Sequence, residues 1–150
     1  MASLQSLRLL LDHTQKQTDD AALNLGKLNH KQQEAEKTLQ MLLEYRESYQ
    51  AQFMASADSG VSLTEWRNYR AFVEKLDKAI KEQKKNVART RQWATDGKNE
   101  FQTHRKKLKS YDTLLQRARN KQEARLQKQE QRQLDEHTAH NFSKQQKNAD

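Results

Sequence analysis

Cysteine and proline are both missing from this sequence of 150 residues, and glycine occurs only three times. Without cysteine there are no disulfides and no thiolate metal sites, which fits a reducing compartment. Without proline, and with its glycines isolated, the chain holds almost nothing that interrupts a helix. It also has no glycine-rich loop to cradle a phosphate. Long apolar runs are absent, and none approaches the roughly 20 residues needed to span a bilayer. The opening stretch Met1-Ala-Ser-Leu-Gln-Ser-Leu-Arg-Leu-Leu-Leu-Asp-His13 has too short an apolar run for a signal peptide and no cleavage-like end. The expected location is therefore cytoplasmic, at most peripheral at the cytoplasmic face of a membrane.

Apolar residues are scarce as well: 33% of the chain is hydrophobic against 32% charged, with a mean hydropathy of -1.25. Average domains run nearer half apolar, so a compact globule is excluded and disorder becomes the first alternative. Periodicity argues against disorder. A walk by alternate steps of three and four visits Leu4, Leu7, Leu11, Thr14, Thr18, Ala21, Leu25, Leu28, Gln32, Ala35, Leu39, Leu42, Arg46, Tyr49 and Phe53. A second visits Trp66, Tyr69, Val73, Leu76, Ile80, Gln83, Val87, Thr90, Ala94, Gly97, Phe101, His104, Leu108, Tyr111, Leu115 and Ala118. Most of these are apolar, and a repeat of about 3.5 residues is the pattern of a coiled-coil seam.

Between the walks lies Ser56-Ala-Asp-Ser-Gly-Val-Ser62, a turn-like cluster. Ser62 with Glu65 three residues on reads as a capping box opening the second helix. So short a loop makes the two helices antiparallel. Folding about it pairs residues whose numbers add to roughly 118, with Leu42 near Leu76 and Leu39 near Ile80. The expected fold is all-α: a long two-helix antiparallel coiled-coil hairpin over residues 1–118, turning at 56–62. A basic extension, residues 119–150, follows; it is expected to be helical at first and frayed or disordered from His137. At about 1.5 Å per residue each arm would be roughly 75–80 Å long.

Such a rod has no water-excluding concavity in which to shift a pKa, so the chain does not read as an enzyme and no catalytic residue or cofactor is expected. His137 and His140 have a spacing that could place two imidazoles on one helix face, but a third ligand is lacking. His13, His30 and His104 are scattered along the helices.

Two features remain. Tyr45, Tyr49, Phe53, Trp66, Tyr69 and Phe72 gather around the turn, too many aromatics for a two-helix seam to bury. The stripes Thr38, Leu42, Tyr45, Tyr49 and Phe72, Leu76, Ala79, Gln83 fall side by side on one flank, and an exposed aromatic-aliphatic patch marks a protein-binding surface. Charge is the second feature. Residues 1–55 carry 6 Lys/Arg and 7 Asp/Glu, whereas residues 56–150 carry 22 and 13. The basic excess belongs to the second helix and the extension, where Arg117, Arg119, Lys121, Arg125, Lys128 and Arg132 suggest an acidic partner. Glu123, Glu130, Asp135 and Glu136 interleave with them and no stacking platform lies beside them, so nucleic acid is not the expected ligand.

The segments Leu39-Gln-Met-Leu42-Leu-Glu-Tyr45-Arg-Glu-Ser-Tyr49 and Trp66-Arg-Asn-Tyr69-Arg-Ala-Phe72-Val-Glu-Lys-Leu76-Asp-Lys-Ala79-Ile80, either side of a short Ser/Gly turn, resemble the bacterial flagellar export family FliJ. The resemblance implies a soluble component of the flagellar type III export apparatus, with a fold like the central stalk of rotary ATPases. It implies three partners: the ring of the export ATPase FliI, the cytoplasmic part of the export gate protein FlhA, and export chaperones. Carried onto this sequence, the gate-binding surface would comprise Leu42, Tyr45, Tyr49, Phe72, Leu76 and Ala79. The end that enters the ATPase ring would present Leu4, Leu7, Arg8, Leu11, Arg117, Arg119 and Arg125. An equivalent rod of a virulence type III secretion system would share the hairpin and the length, and a nucleic-acid-binding coiled coil ranks third.

Overall fold

The computed structural model describes residues 3–149. Two helices make up nearly all of them: α1, Leu4–Ala57, and α2, Leu63–Ala149. Each opens on a serine. The Ser3 hydroxyl accepts the Ser6 amide at 3.1 Å and its carbonyl accepts Leu7 at 3.0 Å. Ser62 does the same for α2, taking the Glu65 amide at 3.1 Å and giving its carbonyl to Trp66 at 3.0 Å. Each cap satisfies amides that the first helical turn leaves without partners. Glu65 adds a negative charge to the first turn of α2, where the helix dipole favours it.

The intervening loop closes with two short turns. Ser59 donates from its amide to the Ser56 carbonyl at 3.2 Å, and Gly60 to that of Ala57 at 3.1 Å. Gly60 has φ of +94°, a conformation that side chains with a Cβ avoid. The chain therefore reverses just where its one backbone-permissive residue in the region stands.

Contacts divide the chain into two compact units: a loop-bearing unit, Thr18–His104, and a terminal unit joining the start of α1 to the chain from Arg105 onward. In the loop-bearing unit α1 and α2 run antiparallel. Gln83 donates to the Ala35 carbonyl at 2.9 Å and Tyr49 stacks on Tyr69, both pairs adding to 118 as the heptad walks require. In the terminal unit Leu7 and Leu115 are both buried, and Leu7 lines one groove with Leu114 and Ala118.

The heptad walks survive almost intact. Every position of the first, from Leu4 to Phe53, is buried or half-buried, and so is every position of the second except Trp66. Among the described residues no side chain is completely enclosed, as expected where two helices share one seam. Small residues take many of the buried positions: Thr14, Thr18, Ala21 and Ala35 on α1, Thr90, Ala94 and Gly97 on α2. The hydroxyl of buried Thr90 donates to the Val87 carbonyl at 3.0 Å, and no buried side-chain polar atom among the described residues is left without a partner. The polar seam positions are thus small or hydrogen-bonded.

Fraying is the expectation from His137 onward; in the structure α2 is continuous to Ala149. Past Gly97 the chain has no glycine or proline to break it, and side chains four apart tie successive turns together. Gln131 donates to Asp135 at 3.1 Å, and Asn141 lies 3.2 Å from the His137 ring nitrogen. Lys147 stands in the last turn, where the dipole favours a cation. Residues 119–149 are exposed throughout.

Candidate functional site

At the turn of the loop-bearing unit, six aromatic rings form one continuous cluster. Tyr45 stacks on Tyr49 with centroids 6.3 Å apart and meets Phe72 edge-on at 6.0 Å. Tyr49 touches Phe72 at 4.6 Å and Tyr69 at 5.5 Å. Tyr69 lies flat on Phe53 at 3.9 Å, and Trp66 completes the group 5.8 Å from Phe53. The rings alternate between helices, so the cluster fastens α1 to α2 while spanning the flank of the seam. Aromatic pairs of this geometry contribute about 0.5–1.5 kcal/mol each beyond their buried area.

Packing leaves the two ends of the row open. Tyr45 is 52% exposed and Trp66 46%, whereas Tyr49, Phe53, Tyr69 and Phe72 are half-buried. Trp66 stands in the first turn of α2, close to where α1 ends at Ala57, and so lacks cover on one side. Around the cluster Met54 and Leu63 are also exposed.

An ion pair borders the cluster. The Arg46 guanidinium donates from Nε to Asp77 Oδ1 at 2.6 Å, crossing from α1 to α2. Hydrogen bonding and attraction to Asp77 raise the Arg46 pKa above its ordinary value. Further along, Arg91 Nε donates to Glu36 Oε1 at 2.9 Å, again across the seam, while Gln32 donates to Glu36 on the same helix at 3.2 Å. Arg91 first and Gln32 second hold the Glu36 carboxyl below the usual range.

The sequence-derived gate surface meets this geometry unevenly. Tyr45, Tyr49 and Phe72 come together as one ring group. Leu42 is half-buried and Ala79 exposed, but Leu76 is only 8% exposed and belongs to the seam with Ile80. Phe53, Tyr69 and Trp66 continue the same row toward the loop. Their place in it follows from the antiparallel register, which sets position 69 opposite 49 and position 66 opposite 53. Arg46 is the residue that periodicity alone reads least well, since it occupies a seam position and is resolved there by Asp77.

The second set lies in the terminal unit. Leu7 is buried, Leu4 and Leu11 half-buried, and Arg8, Arg117, Arg119 and Arg125 exposed. Leu7, Leu114, Arg117, Ala118, Asn120, Lys121 and Ala124 line an open groove of about 730 Å³. Among the described residues no group of three His, Asp or Glu side chains is placed to hold a metal ion, and no helix is long and apolar enough to cross a membrane.

The sequence profile of the flagellar FliJ protein family matches residues 3–147. The chain belongs to the FliJ family. Among its curated FliJ relatives are the flagellar FliJ proteins of Escherichia coli strain K12 and Salmonella typhi. Each is 29% identical over 117 residues, covering 78% of this chain and 80% of the relative. No solved structure matches this chain. Both the ring cluster and the groove fall within the FliJ match.

Proposed function

We propose that this FliJ-family chain is a component of flagellar protein export that works through protein contacts made by two separate surfaces. The observation that carries the reading is the ring cluster: six contiguous aromatics, with Tyr45 and Trp66 half in solvent, on a chain whose total apolar content is low. Large amphipathic rings anchored on a rigid two-helix platform lose little side-chain entropy on binding, which is why such groups act as interface hot spots.

On this reading Leu42, Tyr45, Tyr49, Phe72 and Ala79, with Leu76 supporting them from the seam, engage the cytoplasmic part of the export gate protein FlhA. The terminal unit, through Leu4, Leu7, Arg8, Leu11 and the basic side chains of α2, engages the ring of the export ATPase FliI. Export chaperones are carried by the same chain, which acts in the cytoplasm and peripherally at the inner membrane. Chemistry is left to the partners, and this chain contributes no catalytic group.

The test is a binding titration of the full chain and its Tyr45→Ala and Phe72→Ala variants against each partner. Loss of about tenfold or more in affinity for the FlhA region, with FliI affinity preserved, is the expected result. Equal losses for both partners, or none, would reject the two-surface reading.

A further inference from the structure

We infer that α2 beyond the end of the seam is a one-sided cationic docking face for an acidic α-helix of a partner protein. Arg117, Lys121, Arg125 and Lys128 make up this face, and Arg119 is excluded from it. The inference rests on the reading of the terminal unit as a protein-contact surface and specifies its chemistry.

Continuity of the helix creates the face. Because α2 runs unbroken to Ala149, steps of four, four and three place residues 117, 121, 125 and 128 along one side of it. Steps of four, three and four place Arg119, Glu123, Leu126 and Glu130 along nearly the opposite side. Glu123 and Glu130, which interleave with these cations in sequence, are therefore separated from them in space, and Asp135 falls back into line only beyond the far end of the stripe. The ion pairs of Arg46, Lys85, Arg91 and His104 do not reach the stripe.

The stripe also works against the helix that bears it. Arg117 is followed four residues later by Lys121, Lys121 by Arg125, and Arg125 three later by Lys128. Like charges at these spacings repel and weaken an isolated helix. Exchanging one cation for a carboxylate would turn repulsion into attraction, so helix stability does not account for the arrangement. A partner supplying negative charge along the same line does.

Geometry favours an acidic helix over other polyanions. A second helix presents side chains at the same repeat and about the same width, so carboxylates four and three apart could follow the stripe without meeting Glu123 or Glu130. A nucleic-acid duplex is about twice as wide as a helix and would bring phosphates to both flanks. An anionic bilayer would need an apolar face running the length of the cations, whereas the apolar side chains beside them are confined to the root of the stripe and exposed Leu126 lies with Glu123 and Glu130. The apolar groove at the root of the stripe, from Leu7 and Leu114 to Ala124, gives an incoming helix a place for one or two apolar side chains.

The full-length chain is titrated with three probes. One is a synthetic helical peptide with glutamates at successive four- and three-residue steps, measured against a scrambled peptide of identical composition. The others are a DNA duplex and phosphatidylserine vesicles. The in-register peptide is expected to bind at least tenfold more tightly than its scramble, with affinity falling as salt rises. Lys121→Glu and Arg125→Glu should each weaken it at least tenfold while leaving helix content equal or higher. Arg119→Glu should change it less than twofold. Equal binding of both peptides, equal losses at Arg119 and Arg125, or tighter binding of duplex or vesicles would overturn the inference. FliI affinity measured on the same variants separates the two readings. Peptide discrimination with unchanged FliI affinity supports the acidic-helix face while removing FliI as its occupant.

Discussion

Gly97 faces Leu28 across the seam: a Cβ added to Gly97 would lie 2.7 Å from Leu28 Cδ1, and 3.7 Å from Leu25 Cδ1. Gly26, the other helical glycine, has nothing within 4 Å of the corresponding position. The two residues have the same local conformation and opposite surroundings. A glycine in a helix costs roughly 0.5–1 kcal/mol relative to alanine. Gly26→Ala should therefore recover that amount and raise the melting temperature by a few degrees, about 2–4 °C per kcal/mol in a chain of this size. Gly97→Ala should recover little, because the Leu28 methyl must move, and Gly97→Val should destabilise by about 1–3 kcal/mol through overpacking. Thermal melts of the three variants decide the matter. Equal gains at both glycines would show that the close approach carries no constraint.

The ring cluster predicts a separation of stability from binding. Tyr45 is held by Tyr49 and Phe72 but keeps half its surface in water, so Tyr45→Ala should cost about 1 kcal/mol. Leu76→Ala, in the seam, should cost about 2–4 kcal/mol. Melting temperature and affinity for the gate's cytoplasmic region, measured together, should rank these two variants in opposite orders. The same order in both assays would mean that the rings act only as core.

Acid should weaken the loop-bearing unit through Glu36. Its carboxyl is held below the usual range by Arg91 and Gln32, so the stabilisation is present above the unfolded-state pKa and is lost as pH falls through the lowered folded-state value. Glu36→Gln removes that linkage. Wild type should melt higher than the variant near neutrality, and the two curves should converge in acid. A difference that stays constant from neutral to acid pH would exclude this carboxyl as the source.

The reversal between helices rests on Gly60 and Ser62. Ser62→Ala removes the hydroxyl that accepts the Glu65 amide and should cost about 1 kcal/mol. Gly60→Ala forces a Cβ into a backbone of positive φ and should cost about 1–2 kcal/mol. Additive losses in the double variant, read by urea unfolding, are expected if cap and turn act independently; a double variant no worse than the poorer single would show one coupled element.

Ending the chain at Ala118 should leave the melting temperature nearly unchanged, because residues 119–149 are exposed along their whole length. Affinity for the export ATPase should fall if the basic stretch contributes to that contact, and its salt dependence should fall with it. A large loss of stability would show that the extension is folded onto the rest of the chain.

Local rules in the sequence were enough for the helices, their caps and their seam. A heptad repeat depends only on spacing, so Leu7 and Ala35 could be placed on one seam stripe, and Ile80 and Leu115 on the other, before any contact was known. Ser62 and Gly60 were equally legible, since capping and positive φ are properties of a residue and its neighbours. The family likeness was readable for the same reason, in the aromatic spacing on either side of the turn. Other features depended on what lies across the seam, which spacing does not encode. Arg46 stands at a seam position because Asp77 answers it from α2. Gly97 and Gly26 look alike in sequence and differ only in whether Leu28 comes close. Past His137 the low apolar content suggested fraying, whereas in the structure α2 is continuous to Ala149. The continuity of α2 sets Arg117, Lys121, Arg125 and Lys128 on the side away from Glu123 and Glu130.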